Sequence, residues 1–159
     1  IEYISPSLGG LQLRGAVAAA DENGGAERPV GFSVGYGGGP VSVGVAYDRN
    51  GLDLKTVGLY GSFNAGFATF MAQFEKGDLS AATDTKHWSV GTKVPLGNAT
   101  LKAGFTKWST EEVKKLGIGL DYNLSKRTQL YTDIGKVSGD GATANQKKTA
   151  FDVGIFHKF

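Results

Sequence analysis

The sequence contains no cysteine, which excludes disulfide frameworks and thiolate metal sites. Its two histidines, His87 and His157, are far apart, so a histidine-rich metal centre is not expected. No apolar run approaches the about 18 residues of a membrane helix, and a chain that crosses a bilayer with helices is excluded. Proline is scarce at 4 residues, and the 25 glycines follow no Gly-X-Y period, which rules out collagen and argues against a linker. Excess charge of one sign is also missing. Seventeen basic against 15 acidic residues give +2, so no polyanion-binding surface is implied and nucleic acid is not an expected partner. With 40% hydrophobic and 20% charged residues the chain is too apolar for disorder. No signal peptide is visible and the first residue is Ile1, so a mature product or a piece of a longer chain is expected.

What is present is an alternation of period two. In Lys115-Leu116-Gly117-Ile118-Gly119-Leu120-Asp121-Tyr122 every even position is large and apolar, and every odd one is polar or glycine. Val41, Val43, Val45 and Tyr47 alternate in the same way, as do Phe151, Val153 and Ile155. A strand gathers such residues on one face; a helix cannot. Thr110–Lys114 tolerates a helix but is too short to hold one. The pattern predicts an all-β, antiparallel up-and-down meander of about eleven strands. They cover Ile1–Ser7, Leu11–Ala20, Val30–Gly37, Val41–Arg49, Lys55–Asn64, Phe67–Lys76, His87–Pro95, Ala99–Ser109, Lys114–Leu124, Arg127–Val137 and Thr149–Phe159.

Tight turns alternate with longer polar connections. The short ones are Pro6–Gly10, Gly38–Pro40, Asn64–Gly66, Leu96–Asn98 and Ser125–Lys126. The longer ones are Asp21–Pro29, Asn50–Leu54, Gly77–Lys86, Thr110–Val113 and Ser138–Lys148. Sorting of this kind is expected of an outer-membrane barrel, with turns at the periplasmic end and loops outside. The faces agree: one carries Gly, Ser, Thr and sparse charges, the other aliphatics with an aromatic near many strand ends, such as Tyr36, Tyr47, Trp88 and Tyr122. A soluble β-sandwich binding module is the alternative, with its apolar face turned to a second sheet.

The C-terminus makes the pattern specific. Phe151, Val153, Ile155, His157 and Phe159 stand two apart and end on phenylalanine. This resembles the terminal signal of bacterial outer-membrane barrels, and the resemblance implies that these five residues form an assembly signal. More narrowly, Gly119-Leu-Asp-Tyr-Asn-Leu-Ser-Lys-Arg-Thr128, followed by Val153-Gly-Ile-Phe-His-Lys-Phe159, resembles the end of the general trimeric porins of beta-proteobacteria and Neisseria. Ile1-Glu-Tyr-Ile-Ser-Pro-Ser-Leu-Gly-Gly10 is similar to a strand of that family entering a Ser-Pro turn. The resemblance implies a channel in the bacterial outer membrane for passive diffusion of ions and small hydrophilic solutes. It also implies a homotrimer embedded in lipid, no reaction and no cofactor. Such porins have sixteen strands and roughly twice this length, so the chain is expected to be the C-terminal part of a single barrel domain. Phe156 departs from the family, which usually carries arginine there.

Strand parity assigns Arg14, Lys93, Lys102 and Lys158 to the pore-lining face with Glu2, Asp48, Glu75, Asp121, Asp133 and Asp152. Asp48, Glu75 and Asp152 fall near predicted strand ends, whereas Arg14, Lys93 and Lys102 fall nearer the middle. A weak anion preference led by Lys102 and Arg14 is therefore expected.

Other chemistry fits less well. Gly31-Phe-Ser-Val-Gly35 matches the nucleophile-elbow pattern, but that motif needs a strand-to-helix turn and here lies mid-strand. A barrel-borne lipase would use Ser89 beside His87, with no acidic partner evident. Gly35–Pro40 lacks the Lys-Ser/Thr and helix of a phosphate loop. Asp21, Glu22 and Glu27 could touch a divalent cation but lack EF-hand spacing.

Overall fold

The computed structural model describes residues 1–18, 27–80, 82–142 and 149–159. Its strands are β1 (Glu2–Ile4), β2 (Leu11–Val17), β3 (Val30–Gly38), β4 (Val41–Arg49), β5 (Lys55–Asn64), β6 (Thr69–Ser80), β7 (Thr83–Leu96), β8 (Ala99–Trp108), β9 (Val113–Asn123), β10 (Thr128–Ser138) and β11 (Thr149–His157). They follow chain order in one sheet, a pure meander. Among the described residues there is no helix.

The chain divides into two compact units. The first comprises Ile1–Phe63 and Gln73–His87, the second Asn64–Ala72 and Trp88–Phe159. In the first, Leu13, Val34, Val45 and Leu59 stand side by side across β2 to β5 on one face. In the second, Ala103, Ile118, Ile134 and Phe151 do the same across β8 to β11. Each register therefore keeps the two faces chemically distinct across a whole unit.

Within each unit the described residues leave both faces exposed. Among the described residues the buried hydrophobic ones are Ala68 and Ala142, and no side chain is fully buried. Phe32, Leu59, Ile118 and Val153 are each about half exposed or more. A soluble sandwich would bury these residues between two sheets. A single sheet with no such interior overturns that alternative.

Local chemistry sets the ends of the strands. β1 stops at Ile4, earlier than the predicted Ser7, because Ser5 turns its side chain into the ladder. Its hydroxyl accepts from the Leu13 amide at 2.9 Å and donates to the Pro6 carbonyl at 2.9 Å. Pro6 has no amide to continue the pairing. Between β4 and β5 the Asn50 carboxamide oxygen accepts from the amides of Leu52 and Leu54 at 2.9 and 3.0 Å. Gly97 in the tight β7–β8 turn has φ 63°, the left-handed region that glycine enters without strain.

One predicted loop is not a loop. Gly77–Lys86 was expected to be a long polar connection, but β6 runs on to Ser80 and β7 begins at Thr83. The extension is held by polar contacts. Lys76 pairs with Asp84 at 3.3 Å, and the Asp78 carboxylate accepts from the Lys55 amide at 2.9 Å. The predicted alternation of turns and loops is broken at this hairpin. The predicted extension of β2 beyond residue 18, and residues 143–148 of the predicted last loop, lie outside the described residues.

Candidate functional site

The candidate site is the polar face, described for each unit in turn. In the first unit three successive rows of facing residues form it. Gln12, Gly35, Gly44 and Tyr60 make one row across β2 to β5; Arg14, Ser33, Ala46 and Gly58 make the next. The third runs from Glu2 through Ala16, Gly31 and Asp48 to Thr56. Glycine permits the rows to fill themselves laterally. The Tyr60 ring lies over Gly44 where a side chain would stand, and its hydroxyl reaches toward Gly35. The Asp48 carboxylate folds over Gly31, 2.6 Å from where a Cβ would be. Arg14 lies between these two coverings, and its guanidinium donates to Gln12 Oε1 at 3.3 Å. Ser33 of the nucleophile-elbow pattern faces Arg14 in the middle of β3, far from any strand-to-helix turn.

Glu75 and His87 also belong to this unit. The predicted end of β6 put Glu75 at a strand terminus, but the longer strand makes it a mid-strand residue. His87 Nε2 lies 3.9 Å from the Glu75 carboxylate and 3.5 Å from Gln73 Nε2. The expectation that His87 has no acidic neighbour is thus corrected. Asp21 and Glu22 lie outside the described residues, whereas Glu27 pairs with Arg49 at 3.4 Å.

In the second unit the governing row is Lys102, Gly119, Asp133 and Asp152, across β8 to β11. Lys102 Nζ donates to Asp121 Oδ1 at 2.6 Å and lies 3.6 Å from Asp133. Gly119 makes this reach possible, since a Cβ there would run into the Asp133 carboxylate and Lys102 Cε. Two expectations change. Lys102, expected to lead an anion preference, is held between two carboxylates, and Asp152, expected near a strand end, shares its row. Lys93 lines the same recess as Lys102, Asp133 and Asp152. Beside it, Tyr131 covers Gly154 in the row that contains Asp121.

The terminal residues sort by parity as the sequence suggests. Phe151, Val153 and Ile155 are exposed by 69%, 65% and 64% on the apolar face. His157 Nδ1 is 2.9 Å from the Thr128 hydroxyl, and its ring meets Phe159 edge-on at 5.0 Å. Lys158 places its amine 6.0 Å above the Phe156 ring, so a cation stands over the position where the porin pattern usually has arginine. Sequence reasoning missed Tyr60 and Tyr131. The available signal was a tyrosine at a polar-face position, but its glycine partners emerge only from the register.

The comparisons with known proteins agree with this two-faced sheet. The family model for Gram-negative porins matches residues 1–142. Among solved structures, a five-substitution mutant of Rh. blastica porin superposes with a TM-score of 0.77 at 18% identity, over 96% of this chain and 53% of that one. A triple mutant of Rhodopseudomonas blastica porin gives 0.77 at 17% identity with the same coverage. A structure titled for the asymmetric conductivity of engineered proteins gives 0.73 at 20% identity, again over 96% and 53%. The chain thus spans about half the length of each of these three chains. No curated protein matches it. A meander with one apolar and one polar face, matched along most of its length by the family model, belongs to the Gram-negative porins, β-barrel proteins of the bacterial outer membrane.

Proposed function

We propose that these strands form part of the wall of a water-filled channel through which ions and small hydrophilic solutes diffuse passively. The observation that carries this reading is the separation of a mainly apolar from a mainly polar face, with no large side chain fully buried among the described residues. An apolar face suits lipid, and a polar face of glycine, serine, threonine and single charges suits water. All eleven strands belong to one barrel domain in this reading. The polar-face residues Arg14, Asp48, Glu75, Lys93 and Asp152 line the water path, with Lys158 near its end. Lys102, Asp121 and Asp133 contribute there as a bound group. No chemical reaction is assigned, since diffusion needs a potential along the path and not a nucleophile.

We also infer a homotrimer of the beta-proteobacterial and neisserial type, with Phe151, Val153, Ile155, His157 and Phe159 serving as assembly signal. The Ser125-Lys-Arg-Thr128 turn and the Val153–Phe159 ending support this subtype. The test is reconstitution of the protein into planar bilayers. Stepwise, ohmic conductance in KCl is expected, and folded protein that inserts without conducting would overturn the channel. Cross-linking followed by mass measurement in mild detergent reads the trimer; a single-chain mass would overturn it.

A further inference from the structure

On the polar face of the first unit Arg14, Glu2 and Asp48 are not paired with one another, in contrast to the charges around Lys102. Two hollows adjoin there and share Arg14 and Ser33. One, of about 440 Å³, is lined by Gln12, Arg14, Ser33, Ser42 and Tyr60 over a floor containing Gly35. The other is bounded by Glu2, Arg14 and Asp48. Among the described residues, Arg14, Glu2 and Asp48 form no ion pair within 4.0 Å. The bond from Arg14 goes to a neutral acceptor, Gln12. A guanidinium carries five donors in a planar fork that suits a carboxylate. The carboxylates of Glu2 and Asp48 belong to the next row, two residues or about 7 Å along the strands.

We propose that this recess is a resting site for short zwitterions, amino acids or dipeptides. The solute carboxylate takes Arg14 and its ammonium faces Asp48 and Glu2. A simple anion would meet Arg14 but also two carboxylates, and a simple cation would meet those carboxylates but also the guanidinium. A molecule with both charges a few ångströms apart satisfies each. Tyr60 closes one end by lying over Gly44, and Asp48 closes the other by lying over Gly31. The open stretch between them is bounded by the hydroxyl of Ser33 and the carboxamide of Gln12.

The site rests on the channel reading, and two measurements separate them. In planar bilayers, glycylglycine should lower single-channel KCl conductance with a saturating concentration dependence. Acetate and ethylammonium at equal concentration should give no saturation. Arg14→Gln should weaken the glycylglycine effect by about three- to tenfold, and Asp48→Asn should weaken it in the same direction. Lys126→Gln, in the β9–β10 turn and outside both hollows, should leave it unchanged. Saturation-transfer NMR of glycylglycine with the detergent-folded protein reads binding without conduction. Saturation by acetate equal to that by glycylglycine, or an Arg14→Gln protein that binds as the parent does, overturns the site. Binding that depends on Arg14 in a protein that does not conduct upholds the site and overturns the channel.

Discussion

Asp133 and Asp152 stand directly opposite each other on β10 and β11, and Lys102, 3.6 Å from the first, is bound more closely by Asp121. Like charges facing across a ladder cost about 0.2–1 kcal/mol. Asp152→Asn should therefore stabilise the folded protein by about that amount. Lys102→Met should destabilise it by about 1 kcal/mol, because three carboxylates then share one patch. Urea unfolding midpoints in detergent micelles check both. A destabilised Asp152→Asn protein would contradict the assignment.

The faces differ in solvent, so they should differ in their tolerance of charge. Val43→Lys and Ile118→Lys, on the apolar face, should each cost about 2–4 kcal/mol at mid-membrane depth. Ser42→Lys should cost less, because its side chain points to the polar side. Gly119 is no counterpart to Ser42, since Asp133 and Lys102 already fill its space. Equal losses at positions 42 and 43, measured by unfolding into urea from lipid vesicles, would refute the division.

Covered glycines predict a size-dependent effect. Gly44→Ala should cost about 1–3 kcal/mol by pushing the Tyr60 ring from its seat, and Gly154→Ala should act alike under Tyr131. Combining Gly44→Ala with Tyr60→Ala should recover most of the loss. A strictly additive double mutant would show that ring and glycine are uncoupled.

Sidedness follows from the meander. The β10–β11 connection should be extracellular and the tight β7–β8 turn periplasmic. Because the sequence has no cysteine, Asp140→Cys and Asn98→Cys each create one unambiguous labelling site. A membrane-impermeant maleimide added to intact cells should label the first and spare the second. The reverse pattern would invert the topology.

Strand number and the identity of the two faces were readable from alternation alone, because each residue pair reports its own parity. The β6–β7 hairpin was not. Alternation marks a strand with one wet and one dry face, whereas Gly77, Asp78, Thr83 and Asp84 offer no apolar partner, so the segment reads as loop. Its pairing depends on contacts such as Lys76 with Asp84, which local composition does not reveal. The candidate site divides similarly. Parity placed Arg14, Lys102 and Asp152 on the polar face, but the contact between Lys102 and Asp121 joins residues on different strands. Their meeting depends on register, and on the glycine at 119 that clears the way.

That the described residues bury no large side chain fully has an evolutionary consequence. In most proteins a buried side chain is constrained by volume, since a lost or added methylene leaves a void or a clash. Here nearly every side chain ends in a fluid medium that adjusts to its size. Selection can then police polarity position by position while letting bulk drift, except where a ring lies over a glycine. Lineages of such walls can replace Leu with Val or Phe almost freely and still keep their register. The hidden memory of this architecture is the parity of its alphabet, and the covered glycines are the few letters that cannot be respelled.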